Sequence, residues 1–413
     1  MTAGDRDGSL DEMADQLWPH PLRWRYGGSD ELPSNDVMTE YVITPNARSP
    51  RLVVPATPRL AGRVAMAEGF GRPLAKRAKS TALATAFRLR LGDRLFRDRL
   101  RIYAPAEGEI PSEGIRSHLG HVLGQPVHIA FQVTRARANR KPVLRLLDGR
   151  GSTLGFVKVG ANDLTRDLVR AEGRALQALA SVRFEYTTVP QVISSHAWNG
   201  QELLVLAPLP MKLGTSQPRR GQPLRSAKEL ASSSAIECGP LSPSAYWTDL
   251  RARVGNLRPS HDRGTICAAL DSLQRSLAGL DLPFSAWHGD WAPWNLARDG
   301  DRLLVWDLER YRTCVPMGFD LVHYELQTKI LAPRRDPYEL IMEAWPGAAA
   351  LLAPMGLSRS QSEGAFALYL AEISTRWVAD RQSEAGDWGG VLDAMVRALT
   401  TIAELVDSRA SAH

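Results

Sequence analysis

Apolar and polar positions alternate differently along the chain, and the pattern changes near residue 126. Residues 1–50 are polar and rich in turn formers, with Gly27-Gly28, Pro33 and Pro45; within them only 40–44 reads as a strand. A short apolar run at 52–54 ends at Pro55. Residues 58–100 place apolar side chains at helical spacing between arginines, with a break near 69–73. From 127 onwards the period shortens. Residues 127–133, 143–147 and 154–159 read as strands, and Asp148-Gly149-Arg150-Gly151 reads as a hairpin turn. Asp163-Leu164-Thr165 then opens a helix to about Ala180, with Leu164, Leu168, Ala171, Ala175 and Leu179 at helical spacing. Strands come next at 191–195 and 202–206. Residues 212–243 are rich in Ser, Pro, Arg and Gly and read as a loop with room for one short helix. Helical segments dominate beyond, except over 284–307. The expected class is α+β, divided into an extension over 1–110, a strand-rich part over 111–206 and a helical part over 207–413.

Composition narrows this picture without changing it. Of 413 residues, 44% are hydrophobic and 23% charged, enough apolar material for sizeable cores. Cys238, Cys267 and Cys314 are far apart and odd in number, which argues against a disulfide framework or a paired-cysteine zinc site and fits a reducing compartment. No apolar run reaches the roughly eighteen residues of a spanning helix. The acidic, polar start MTAGDRDGSLDEMADQ does not read as a signal peptide. A cytoplasmic protein is the expectation. The net charge of +6 is concentrated: residues 59–101 hold twelve Lys/Arg against Glu68, Asp93 and Asp98, and the rest of the chain is net negative. The high overall pI therefore describes one segment and does not mark the whole chain as a nucleic-acid binder.

The chemistry is concentrated in Trp287-His288-Gly289-Asp290-Trp291-Ala292-Pro293-Trp294-Asn295-Leu296. Beyond it lie a turn at Asp299-Gly300-Asp301 and an apolar strand at 303–306, ending in Asp307-Leu308-Glu309. Phosphoryl transfer calls for such a set. One carboxylate accepts or orients the proton of an acceptor hydroxyl, and hard oxygen ligands hold Mg²⁺ against a triphosphate. An Asp and an Asn five residues apart on one loop can face one metal-filled space, and an Asp at the next strand end can close it. Upstream, Lys158 is the only charged residue of the strand 155–159, so its burial demands a partner. Glu172 lies fourteen residues on, within the next expected helix; a strand-edge Lys and a solvated helix Glu are the alternative reading of these two residues.

These residues resemble the aminoglycoside phosphotransferase and choline kinase family. Residues 288–295 match the family's H-G-D-x-x-x-x-N loop at every fixed position, Asp307 and Glu309 match its metal-binding strand end, and Gly318-Phe319-Asp320 matches its G-x-D. The resemblance implies a two-lobed protein-kinase-like fold, with a small β-rich N-lobe and a mainly helical C-lobe behind the N-terminal extension. It implies Asp290 as catalytic base, Asn295, Asp307 and Glu309 as Mg²⁺ ligands, and His288 and Asp320 as supports of the catalytic loop. Lys158 and Glu172 become the nucleotide-phosphate pair, and Leu206 and Pro208 flank a hinge whose backbone would bond the adenine of ATP. The covering loop departs from the family: Arg135-Ala136-Arg137-Ala138-Asn139-Arg140-Lys141 has no glycine but four cations. Protein kinases fit less well, with no H-R-D, D-F-G or A-P-E, so the expected partner is a small-molecule hydroxyl of a sugar, amino sugar or amino alcohol.

Candidates for the acceptor pocket are His323, Glu325, Trp345, Glu372, Trp377, Asp380 and Trp388, since Trp faces suit sugar rings and carboxylates suit hydroxyls and amines. A helical core stripe is the plainer reading of any one of them. For 59–101 the reading is a solvated or packed arginine face. Anionic lipid and nucleic acid are the alternatives, with few aromatics to support the latter. The rival to an enzyme is a non-catalytic kinase-fold module acting through this segment.

Overall fold

The computed structural model describes residues 4–69, 74–106, 114–133, 141–211, 216–330, 335–382 and 389–410. The chain forms two compact units, one from residues 1–173 and 190–217 and the other from 174–189 and 218–413. The first is built on a sheet and the second mainly on helices.

The first unit is one nine-stranded antiparallel sheet. Its strands are β1 (Arg23–Gly28), β2 (Val37–Thr44), β3 (Leu52–Pro55), β4 (Asp98–Tyr103), β5 (His128–Gln132), β6 (Val143–Leu147) and β7 (Thr153–Gly160). After β8 (Thr187–Thr188), which belongs to the second unit, come β9 (Val192–Trp198) and β10 (Gln201–Leu206). The order is β1-β4-β2-β3-β5-β6-β7-β10-β9. Four of these strands come from the first 110 residues, and they join the rest where β3 pairs with β5, Val53 opposite Phe131. Alternation along β2 explains why the extension shares a core with the later strands. Tyr41 and Ile43 face a cluster with Phe131, Leu144, Val157 and Leu203. Val42 faces the opposite cluster with Val64, Ala84 and Phe87. That second cluster is covered by helices Pro58–Ala67 and Leu74–Arg88.

The helices Gly4–Leu17 and Ile115–Leu123 and strand β1 depart from the sequence reading. Gly4–Leu17 lies in the segment that reads as polar and turn-rich, yet Leu10, Met13, Ala14 and Leu17 recur at helical spacing and are buried. Trp18, just beyond, lies 5.5 Å from Tyr41 and 6.1 Å from Phe131, centroid to centroid. Part of the basic segment also differs from its helical reading: residues 98–103 are strand β4.

In the second unit, β11 (Glu237–Pro240), β12 (Asp281–Trp287) and β15 (Arg312–Pro316) form one small sheet. The hairpin of β13 (Leu296–Asp299) and β14 (Arg302–Val305), with β8 parallel to β14, forms another. Around them pack helices including Gln222–Ala231, Ala245–Gly255, His261–Ser276 and Phe319–Ile330. The long helix Arg359–Gln382 is buried almost all round, from Gly364 through Thr375 and again at Trp377 and Val378, as a helix at the centre of a bundle must be.

Two arginines of the basic segment stabilise the first unit from inside. Arg99 and Arg101 are 5% and 9% exposed, and Glu40 binds both, Oε1 to one Nε and Oε2 to the other at 3.0 Å. Arg101 also donates to the carbonyls of Leu32 and Pro33, and Arg99 to that of Phe96. Removing the carboxylate takes from two buried cations the anion they share. Glu40→Ala is expected to lower unfolding stability by about 3 kcal/mol in chemical denaturation, with Glu40→Gln losing less.

Candidate functional site

The site in the second unit is built where β12 ends. Trp287 is buried against Phe319, and the chain then turns through His288, Gly289 and Asp290. The turn requires glycine at 289. Its φ is +85°, and a Cβ there would run into the carbonyl oxygen of Arg310. Asp320, at the start of helix Phe319–Ile330, accepts hydrogen bonds from the backbone N–H of His288 (2.8 Å) and of Gly289 (3.3 Å). Burial pushes the Asp320 carboxyl up to about 7, against the pull of those two donors. On the other side, Arg376 of helix Arg359–Gln382 donates to the Gly289 carbonyl at 2.6 Å. The loop backbone is thus held from two helices at once.

His288 is a structural member of this loop. Its Nδ1 lies 3.2 Å from the Asp290 backbone N–H, so Nδ1 accepts and Nε2 carries the proton toward the Trp306 carbonyl at 3.0 Å. Burial lowers its pKa to about 4, against the attraction of Asp290 and Asp307, so the ring is neutral at physiological pH.

Asp290 receives a donor on each carboxylate oxygen. Asn295 Nδ2 donates to Oδ2 at 2.8 Å and to the Asp290 carbonyl at 2.9 Å. His323 Nε2 lies 3.0 Å from Oδ1. Burial opposes ionisation of Asp290, but the His323 bond, with the positive charge of Arg376, holds its carboxyl well below the usual carboxylate range. Burial also lowers the pKa of His323. The self-consistent state is an ionised Asp290 beside a neutral His323 that donates from Nε2. Its Nδ1 then accepts from the Tyr369 hydroxyl at 2.8 Å, inside the core. Tyr369, His323 and Asp290 form one directional chain of donors ending on a carboxylate.

The β13–β14 hairpin sets the second group of oxygen donors. Leu296 pairs with Val305, and the Trp306 N–H reaches back to the Asn295 carbonyl at 3.3 Å, so the chain leaves the hairpin at Asp307 directly after this contact with Asn295. Asp307 is held in the left-handed region at φ +71°, an uncommon conformation for a residue with a side chain. Asn295 is buried, and its two donations to Asp290 turn its Oδ1 away from that carboxylate. An amide oxygen with the carboxylates of Asp307 and Glu309 is a hard-oxygen set of the kind Mg²⁺ takes.

In the first unit, Lys158 sits on β7 between Val143 of β6 and Leu204 of β10. Its Nζ is 2.5 Å from Glu172 Oε2, and both residues are buried. The ion pair expected from the sequence is formed. Leu206 is buried at the end of β10, and Pro208 is exposed beyond it. The basic hairpin falls in 134–140, outside the described residues, apart from Lys141.

The acceptor candidates separate. His323 belongs to the Asp290 chain. Glu372 is 3% exposed and is engaged by Arg253 at 2.6 Å and Arg312 at 3.6 Å, in a network that includes Asp249. Trp345 packs on Phe366 in the core, and Trp377 is buried as well. Glu325 pairs with Lys329 and Asp380 with Arg310. Trp388 lies outside the described residues. Tyr369 and Arg376 were missed. Each stands more than seventy residues from the loop in sequence, in a helix whose apolar pattern gives no sign of them.

No protein-family model matches the chain, and no curated protein matches it. Solved structures align with much of the chain at low identity. An apo thermostable mutant of aminoglycoside phosphotransferase APH(4)-Ia shares 13% identity over 68% of this chain and 98% of its own, with a TM-score of 0.45. LicA in complex with AMP shares 12% over 71% and 97%, at 0.47. A choline/ethanolamine kinase family protein from Mesorhizobium loti shares 18% over 67% and 90%, at 0.40.

Asp320→Ala leaves the His288 and Gly289 N–H groups buried without an acceptor. The expected loss is about 3 kcal/mol of stability, read by denaturant titration, with the far-ultraviolet circular dichroism of the folded state unchanged.

Proposed function

We propose that this chain is an ATP- and Mg²⁺-dependent kinase that transfers the γ-phosphoryl group to a hydroxyl of a small molecule such as a sugar, amino sugar or amino alcohol. The observation that carries the reading is Asp290. It is an ionised carboxylate with one donor on each oxygen, on a loop whose backbone is pinned by Asp320 and Arg376.

The role derives from its charge. A carboxylate held far below its usual pKa is a weak base but a well-oriented acceptor. Phosphoryl transfer passes through a loose transition state in which the acceptor hydroxyl needs alignment before it needs deprotonation. Asp290 therefore accepts the hydroxyl hydrogen bond, directs the oxygen lone pair at phosphorus, and takes the proton as the new O–P bond forms and the bond to the departing nucleoside diphosphate breaks. His323 and Tyr369 fix the direction in which the carboxylate faces. Asn295, Asp307 and Glu309 are the residues that would hold Mg²⁺, which when bound neutralises phosphate charge. Lys158, oriented by Glu172, would bind nucleotide phosphate, and the backbone near Leu206 and Pro208 the base.

A small acceptor is favoured by the short link after Asp307. Only 308–318 separate it from helix Phe319–Ile330, and β15 occupies much of that stretch. That leaves no length for the activation segment with which protein kinases position a peptide.

Asp290→Asn keeps the side-chain shape and removes the charge. Acceptor-dependent turnover is expected to fall by at least about a thousandfold in kcat while Mg·ATP still binds. An ATP-consumption screen over sugars, aminoglycosides and amino alcohols supplies the assay, and wild-type turnover in the variant refutes the assignment. Asp307→Asn tolerates the left-handed backbone, so folding stability should stay within about 0.5 kcal/mol. Calorimetry should nevertheless show Mg·ATP affinity reduced by on the order of a hundredfold. Unchanged affinity removes Asp307 from the metal site.

A further inference from the structure

The basic segment of the first unit is divided in its use of charge. Arg99 and Arg101 point inward and are satisfied by Glu40 and backbone carbonyls. Other cations stay outside: Lys76 and Lys79 on helix Leu74–Arg88, and Arg88, Arg90, Arg94 and Arg97 in the turn at its end, which takes in the short helix Gly92–Leu95, are exposed. The turn interleaves its arginines with Leu89, Leu91 and Leu95, which are 64%, 39% and 60% exposed. Leu89 and Leu95 are the two most exposed large apolar side chains among the described residues.

The turn is built in a way that keeps these leucines outside. Leu91 N–H donates to the Ala86 carbonyl at 2.9 Å and Arg90 N–H to that of Phe87 at 3.0 Å. These are the paired bonds of a Schellman helix end, with Arg90 in the left-handed position at φ +58°, where glycine is the usual choice. Such an end commonly lays the residue after the left-handed one back onto the helix, but Leu91 remains well exposed. Beneath the turn, Phe87 packs on Phe96 at 5.6 Å and fills the space a side chain at Gly92 would need. Aromatic rings thus seal the core side. The cap bonds are backbone bonds, so polar residues at 89, 91 and 95 would satisfy them equally well, and the fold does not account for three leucines in water.

We propose that residues 88–97 form an attachment surface for an anionic lipid bilayer, with the arginines on headgroup phosphates and the leucines entering the acyl boundary. Residues 88–97 carry four arginines against the single acid Asp93, and cations interleaved with long aliphatic side chains suit that interface, where both kinds of group find a partner together. Single-stranded nucleic acid would call for exposed aromatic faces, whereas Phe87 is buried and Phe96 is half-buried beneath the turn. An acidic protein surface would pair the arginines and leave the leucines in water. None of these residues takes part in the phosphoryl-transfer chemistry proposed above, so the surface stands or falls independently of it.

The test uses the full chain at physiological salt. It is sedimented with phosphatidylcholine vesicles, with phosphatidylcholine–phosphatidylserine vesicles, and titrated with a labelled single-stranded oligonucleotide. Binding is expected to the serine-containing vesicles and to neither other partner. Converting Arg88, Arg90, Arg94 and Arg97 together to Gln should weaken it by on the order of a hundredfold. Converting Leu89, Leu91 and Leu95 together to Ser should weaken it about tenfold. Unchanged melting temperatures show that both variants fold, and Leu95→Ser alone serves as a milder second variant with a smaller loss in the same direction. No binding of wild type to anionic vesicles overturns the proposal. So does full affinity in the folded leucine variants, which would leave only diffuse charge attraction, or oligonucleotide binding tighter than vesicle binding.

Discussion

A half-buried carboxylate stays ionised when donors replace the water it has lost, and Asp290 draws such donors from several elements of the second unit. Two donors reach it directly, Asn295 from the same loop and His323 from the helix Phe319–Ile330, and Tyr369 of the central helix backs His323. Because hydrogen bonds are short and directional, each donor fixes the position of the element that carries it. The same helices hold the loop backbone through Asp320 and Arg376. One charge thus couples β12, the β13–β14 hairpin and two helices, and a shift of any of them weakens the same group.

The first unit is organised by a different constraint. A sheet of four strands from the first 110 residues would end in an open edge at β3, and a sheet beginning at β5 would have one too. Pairing β3 with β5 removes both edges and lets clusters on the two faces run across the join. Lys158 lies on β7, two strands beyond β5, and Glu172 on the helix after it. The strands of the first 110 residues share one core with β7, through Val157 and Val159.

Legibility in the sequence depends on the range of the interactions. The H-G-D-x-x-x-x-N loop, the strand end at Asp307 and the β5–β10 strands are local patterns, set by turn chemistry and by alternation over a few residues. Asn295 reaches Asp290 because five residues of loop allow it. Arg376 and Tyr369 were hidden because their roles depend on how a helix some eighty residues away is rotated, and a nearly all-buried helix carries no polar stripe to read. Glu372 and Trp345 follow the plainer reading of buried core positions. Residue type suited a sugar pocket, but packing places one in an arginine network and the other in the core. The helix Gly4–Leu17 was obscured by its polar composition, although its four buried positions keep helical spacing.

The basic segment shows the limit of counting charge. In sequence, Arg99 and Arg101 are indistinguishable from Arg94 and Arg97, and all sit among leucines. The structure separates them by strand alternation and by Glu40, which lies on a neighbouring strand about sixty residues earlier. Leu100 is buried between the two inward arginines, while Leu95 beside Arg94 is in water. A segment that reads as one arginine face is therefore two structures, an internal ion cluster that holds β2 to β4 and an external turn where cations and leucines are exposed together. Net charge gives no means of telling them apart, because only burial decides which cations are already neutralised and which remain to attract a partner.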